Sequence, residues 1–510
     1  MQSTKKYSRS SGVLMPVTML HGPFGIGVFG AEAMEFIDFL HDSGFRAWQV
    51  LPLENTGLSF SPYKCISAFA GEPMLIDPRM LLEMGLITEE ELWVRCEGMN
   101  EDRVEYELIR DKQWPLLKAA FLRLRERDTA NPYTGFNPFW LDNYSAYMAI
   151  KHSFGNLPWY EWPDKSLRCH EKEAVEKAKS ELVEDIEFYR FVQWLFDKQW
   201  RQIKAYAAKR DISIIGDMPI YVSEDSAEVW SRRDLFNADE EGKFLAVGGV
   251  PPDYFNADGQ LWGNPVYNWS LMKKEGYDWW IKRLRIAIKR YDLVRLDHFR
   301  GFEKYWRIPV DAPTARTGKW IKGPGMALFG AMKAALGDLP LIAEDLGIID
   351  ENVERLLKET DFRGMRVLQF SFLGDDYHLP HNFTQFDVAY TGTHDNTTLL
   401  AWVFDSDPGI RDLVLDYIEF KGDWTQGGPN CDICKALIRV LFMSGASLAI
   451  IPIQDALGYG ADTRINTPGT PKGNWRVRIR EGAIDQIDKG FYRALIKKSF
   501  REHAPTEFLG

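Results

Sequence analysis

The chain has 510 residues with 45% apolar content, enough to bury a large core and too much for one minimal domain. Its formal net charge of −11 argues against nucleic acid or an anionic membrane as partner, since either needs a basic stripe to meet phosphates. No apolar run is long enough to span a membrane, no signal-type cleavage site follows the N-terminus, and five cysteines are an odd count for a disulfide framework, so a cytoplasmic protein is predicted.

Short apolar runs bounded by Gly, Pro and Asp can be followed along the chain, most of them separated by helical periodicity. The first is Gly12–Leu20. Behind it Ala33, Phe36, Ile37 and Leu40 recur at i, i+3, i+4 and i+7, with Gly44 placed to end the helix. After the second run, Phe45–Leu53, residues 54–210 are far too long for a loop and predict a largely helical insertion. Its helical candidates are Asp102–Arg127, interrupted at Pro115, and Lys172–Arg210. The third run is Ile212–Val222. Residues 221–282, rich in Gly, Pro and aromatics, predict an irregular excursion. Then come Asp292–Phe299, Leu339–Gly347, Gly364–Phe372, Asp387–Asn396 and Ser447–Gly458. Eight such runs alternating with helices predict a (β/α)8 barrel, residues 1–510 forming a single catalytic unit with two insertions.

Catalytic groups in such a barrel project from the C-terminal ends of strands, which singles out Asp217, Asp297, Glu344 and Asp395. Side chains alternate along Leu293–His298, so Arg295 lies beside Asp297 and should hold it as an anion, as a nucleophile must be. Glu344 shares a face with Ile342, where burial and nearby anions raise its pKa and suit it to general acid work. Its neighbour Asp345 reads as an N-cap of the next helix. Thr391–Asn396 gathers hydrogen-bonding side chains that suit sugar hydroxyls. Two carboxylates at a barrel mouth are the makings of a glycosidase pair.

His298 and His394 sit at different strand ends without ligand spacing, so no metal is expected, and nothing calls for a cofactor. The lone C-x-x-C, Cys431 and Cys434, has no second pair beside it and reads as ordinary thiols. Gly25-Ile26-Gly27-Val28-Phe29-Gly30 matches G-x-G-x-x-G literally and raises an NAD-dependent oxidoreductase as an alternative. Four residues separate the run from the first glycine, however, and the dinucleotide turn follows its strand directly.

Several long stretches carry a family resemblance. They are Trp48–Leu53, Ser61-Pro62-Tyr63, Gly216–Val222, Gly249–Phe255, Trp262–Pro265, Arg295–Gly301, Ala343–Gly347, Gly392–Asn396 and Asn466–Gly469. On these the chain resembles the amylomaltase, or 4-α-glucanotransferase (disproportionating enzyme), family over essentially its whole length. The resemblance implies Asp297 as nucleophile, Glu344 as general acid/base and Asp395 as a third carboxylate holding sugar hydroxyls. It places Tyr63, Asp217, Arg295, His298, His394 and Asn466 near the scissile bond, and Tyr254, Phe255 and Trp262 on a flexible acceptor-side loop. The implied partners are malto-oligosaccharide donors and acceptors and glucose. The chain departs from the family pattern at Met19-Leu20-His21 and Glu54-Asn55. The readings it competes with are an α-amylase-like retaining hydrolase and a non-catalytic carbohydrate-binding protein.

Overall fold

The computed structural model describes residues 9–127, 132–239, 243–252, 257–374, 378–470 and 472–505. Seven of the eight apolar runs contain one strand and the first overlaps one that begins two residues earlier: β1 (Ser10–Leu14), β2 (Ala47–Gln49), β3 (Ser213–Met218), β4 (Leu293–Leu296), β5 (Leu341–Ala343), β6 (Gly364–Val367), β7 (Asp387–Tyr390) and β8 (Leu448–Pro452). They pair in parallel in the order β6-β7-β8-β1-β2-β3-β4-β5. A parallel bridge between Ile342 and Arg363, with Ala343 N–H donating to the Arg363 carbonyl at 2.8 Å, closes the sheet into a barrel. All residues of β1, β3 and β8 are buried, as strands covered on both faces must be.

The helix Ala31–Ser43 buries Ala33, Phe36, Ile37 and Leu40, and Phe36 meets Trp48 edge to face at 5.1 Å. Gly44, at φ 86°, ends it by capping back to His41. Within residues 54–210 the longest helices are Tyr106–Glu126 and Val183–Lys209. The first runs straight through Pro115, where an interruption was expected. The lost backbone donor is outweighed by a continuous buried face of Ile109, Gln113, Leu116, Leu117, Ala120 and Phe121. The second leads directly into β3 and packs on Ala31–Ser43, so part of this stretch belongs to the barrel's own helical layer.

Residues 221–282, expected to be irregular, hold regular structure among the described residues. Ala246–Val250 and Gln260–Pro265 join Lys304–Pro309 and Lys319–Lys322 in a four-stranded antiparallel sheet, and Asp278–Arg290 is the helix between β3 and β4. The glycines of Ala246–Val250 mask its strand character, and pairing with the distant Lys304–Pro309 supplies what local propensity lacks.

The G-x-G-x-x-G segment is a packing device. A side chain at Gly27 would put its Cβ 1.8 Å from the Val17 carbonyl oxygen. Above Gly30, at the start of the first helix, stand the Asp77 carboxylate and Arg79, the latter also paired with Glu32. The place a pyrophosphate would take on that helix N-terminus already carries an anion, which removes the dinucleotide alternative. Asp345 is likewise not a cap. Its carboxylate accepts from Met365 N–H at 2.6 Å and ties β5 to β6, while Asp350 caps the next helix.

Replacing Gly27 by Ala is therefore expected to destabilise the protein by about 1–3 kcal/mol or more, because the obstructing atom is backbone. Thermal unfolding checks this, and an unchanged Tm contradicts it.

Candidate active site

The strands deliver their acids to one mouth of the barrel. Arg295 is fully enclosed, and a single nitrogen, Nη1, donates to both oxygens of Asp217 at 2.8 Å and to Asp297 Oδ1 at 3.1 Å. Asp217 is thus its principal partner, and Asp297 shares what remains. Tyr63, carried in by the loop after β2, donates its hydroxyl hydrogen to Asp217 Oδ2 at 2.7 Å. The Tyr63 hydroxyl oxygen in turn lies 2.8 Å from His394 Nε2, so the imidazole must donate to it from Nε2. Burial lowers the pKa of His394, which keeps it in the neutral form this tautomer requires. Nε2 also lies 3.4 Å from Asp395 Oδ2, and Asn466 Nδ2 donates to Asp395 Oδ1 at 2.6 Å.

Among the described residues, Glu344 is held by backbone alone. His298 N–H donates to Oε2 at 2.8 Å and Leu346 N–H to Oε1 at 2.9 Å. His298 adopts a left-handed conformation, φ 49°, as the chain turns out of Asp297 and presents this N–H. Its ring is partly buried, and desolvation pushes its pKa down to about 4, which leaves it neutral; it stands edge-on to Trp262 at 4.9 Å.

Desolvation is the largest influence on both Asp297 and Glu344, and it raises both. For Glu344 this agrees with the sequence reading, Asp297 adding to the rise and Arg295 opposing it. For Asp297 it corrects that reading: Arg295 does lower its pKa, but burial outweighs the cation, and Asp217 and Asp395 add to the rise. The pair holds one proton more readily than isolated carboxyls would. Arg295 donates directly to Asp297 and only backbone N–H groups reach Glu344, so the proton belongs on Glu344.

The network opens on a cleft of about 1020 Å³ lined by Tyr63, Trp262, Asp297, His394, Asp395 and Asn466 among others. Of the ten residues in the sequence-derived set outside Tyr254 and Phe255, seven are joined in one network of direct contacts, Tyr63, Asp217, Arg295, Asp297, His394, Asp395 and Asn466, and His298, next to Asp297 in the chain, bonds Glu344 through its N–H. Trp262 joins through the His298 ring. Tyr254 and Phe255 lie outside the described residues.

Sequence reasoning missed Trp475. Its ring lies 5.6 Å from Tyr63 and 5.9 Å from His394, on the cleft wall. It holds φ 66°, unusual for a bulky residue, fixed by its N–H to the Ile465 carbonyl and by Tyr106 O–H donating to its carbonyl. The signal available was an aromatic set among polar residues, Gly473-Asn474-Trp475-Arg476, shortly after the Asn466–Gly469 motif.

A family model described as 4-alpha-glucanotransferase matches residues 15–484. The 4-alpha-glucanotransferase of Thermus thermophilus is 43% identical over 504 residues, 97% of this chain and 99% of the relative. The chloroplastic/amyloplastic enzyme of that name from Solanum tuberosum is 39% identical over 494 residues, 94% of this chain and 84% of the relative. Among solved structures, amylomaltase from Streptococcus agalactiae in complex with acarbose superposes with a TM-score of 0.92 at 40% identity, covering 97% of this chain and 99% of that one. Matched from end to end, with its acids gathered at one barrel mouth, the chain belongs to the 4-alpha-glucanotransferase family.

Proposed function

We propose that this protein moves α-1,4-glucan segments from a donor maltodextrin to the 4-hydroxyl of an acceptor glucan or glucose, with retention, through a covalent glucosyl-enzyme. The observation that carries the reading is the difference in partners between the two acids, from which the placement of the proton follows. Asp297 accepts from the Arg295 guanidinium, whereas Glu344, on the neighbouring strand, is hydrogen-bonded among the described residues to backbone N–H groups, which separates a nucleophile from an acid.

In the first half-reaction Asp297 attacks the anomeric carbon while Glu344 gives its proton to the departing glycosidic oxygen. Asp217 and Tyr63 hold Arg295 in place as charge leaves Asp297. In the second, Glu344 takes the proton of an incoming 4-hydroxyl, whose oxygen displaces Asp297. Asp395, steered by Asn466 and 43% exposed at its side chain, is available to the hydroxyls of the reacting ring. Trp262 supplies an apolar wall, and Tyr254 and Phe255 are proposed to extend it, so that a sugar rather than water reaches the ester.

We read residues 1–510 as one catalytic unit acting in the cytoplasm on soluble malto-oligosaccharides. Supporting this, the five cysteines are free thiols, and no helix of the described residues is long and apolar enough to cross a membrane.

Incubation with pure maltotriose should yield glucose together with a ladder of longer maltodextrins, and Asp297→Asn should lower the rate by about 10⁴-fold or more. Glucose and maltose without longer chains would make water the acceptor and the protein a hydrolase. The pH profile of kcat/KM should be a bell: activity is lost at low pH as Asp297 takes a proton and at high pH as Glu344 gives its proton up. Because burial raises Glu344, the alkaline limb should fall well above the ordinary glutamate value of about 4.3. Glu344→Gln should cost roughly 10²–10⁴-fold and flatten that limb; a wild-type limb near the ordinary value contradicts the assignment. Tyr63→Phe strands His394 and Asp217 and should lower kcat/KM roughly five- to 150-fold, the equivalent of leaving a buried polar group unpaired. A variant that keeps full activity would show that the hydroxyl bridge is dispensable.

A further inference from the structure

The Cys431-Asp432-Ile433-Cys434 segment plays no part in the chemistry above, yet its geometry is that of a dithiol pair. Cys431 is the N-cap residue of the helix Asp432–Met443 and Cys434 its third helical residue. The two residues face each other across the first turn of that helix, and each is 2% exposed. The neighbouring Cys434 thiol foremost lowers the Cys431 pKa to about 7 against the opposing effect of burial, and the N-cap position favours the thiolate. Cys434 is shifted the opposite way and stays protonated.

Cys431 N–H donates to the Gly428 carbonyl at 2.9 Å, and Gly428 N–H to the Gly458 carbonyl at 2.9 Å. The preceding loop, 421–427, is almost entirely exposed. On the inner side, a Cβ at Gly458 would come within 2.7 Å of the Cys431 Cβ, so the pair abuts the end of the helix Ile453–Leu457. Asp455 of that helix raises the Cys434 pKa by its charge. Its carboxylate also accepts from Thr391 Oγ1 at 2.5 Å and from Leu399 N–H at 2.7 Å. Those two bonds bracket the loop that carries His394 and Asp395.

We propose that Cys431 and Cys434 form a reversible dithiol–disulfide site, entered through Cys431, whose oxidation slows transfer by displacing Asp455 and the loop 391–399. The oxidant is a low-molecular-weight disulfide, R–S–S–R. The Cys431 thiolate attacks one of its sulfurs, the S–S bond breaks, and RS⁻ leaves and takes up a proton. The Cys434 thiol then loses its proton and attacks the Cys431 sulfur, expelling the second RS⁻. The protein gives up two electrons and two protons, and the disulfide is reduced to two RSH. Closing the bond draws the sulfurs to about 2.05 Å, closer than any hydrogen-bonded pair, so the first turn of the helix must shift against Gly458.

The test uses the full chain, reduced and then exposed to oxidised glutathione, with free thiols alkylated and located by mass spectrometry. Thiol state is read apart from maltotriose turnover, since only the turnover measurement rests on the transferase reading. Wild type should lose both alkylatable thiols of the 431–434 peptide without gaining glutathione. Cys434→Ser should trap glutathione on Cys431, and Cys431→Ser should leave Cys434 free. Turnover should fall roughly two- to thirtyfold on oxidation and return with dithiothreitol. The double serine variant should be insensitive. Both thiols still alkylated after prolonged exposure, full disulfide with unchanged turnover, or equal inactivation of the double variant through Cys65, Cys96 or Cys169 would each overturn the proposal.

Discussion

A guanidinium sealed inside a barrel has to be neutralised, and Arg295 meets that requirement through one nitrogen shared between two carboxylates. Much of the site is organised around this constraint. Asp217 takes the larger share, which needs a further donor to hold its second oxygen in place, and Tyr63 provides it. Tyr63 then needs a donor for its own oxygen, and His394 provides that from Nε2, which is tenable only while burial keeps the ring neutral. Asp297 receives enough of the cation to be the first of the pair to ionise, while burial keeps it from being an ordinary surface carboxylate. The proton left over sits on Glu344, which the turn at His298 orients without any cation.

The barrel supplies the acids but not the walls. Its strands are three to six residues long, so side chains beyond their ends depend on loops for position. Tyr63 rides on a loop whose ends are clamped by Glu72, accepting from both the N–H and the hydroxyl of Thr56, and by Asn55 donating to the Tyr144 hydroxyl of the helical insertion. Trp475 is fastened to the start of Tyr106–Glu126 through the Tyr106 hydroxyl, and Val104 N–H donates to the Arg476 carbonyl at 2.7 Å. The insertion after β2 thus braces the two aromatics that back His394. Glu54, where the chain departs from the family pattern, is half-buried and pairs with Arg290 at 2.6 Å.

The strand ends were readable because alternation is local. Arg295 beside Asp297, and Glu344 on the face of Ile342, follow from neighbours two residues apart. The eight runs were readable because strands covered on both faces are apolar throughout. What could not be read came from distant partners. Asp217 lies 78 residues before Arg295, and competition for the same nitrogen, together with burial, reverses the expected shift on Asp297. The antiparallel sheet rests on pairing across some sixty residues that glycine-rich local sequence conceals. Pro115 failed to break its helix because the buried face on both sides held it. Trp475 owes its place to a strained backbone that residue type alone does not announce.

The ordering of proton and charge within the acid pair is the claim on which the mechanism stands, and trapping the intermediate tests it most directly. Glu344→Gln incubated with an α-maltosyl fluoride donor, which needs no proton to leave, should form the glycosyl ester but lack the base to pass it on. Acid quench, digestion and mass spectrometry should then find the sugar esterified to Asp297. A sugar on Asp217 or Asp395, or fluoride released in a burst with no protein-bound sugar at all, would contradict the account.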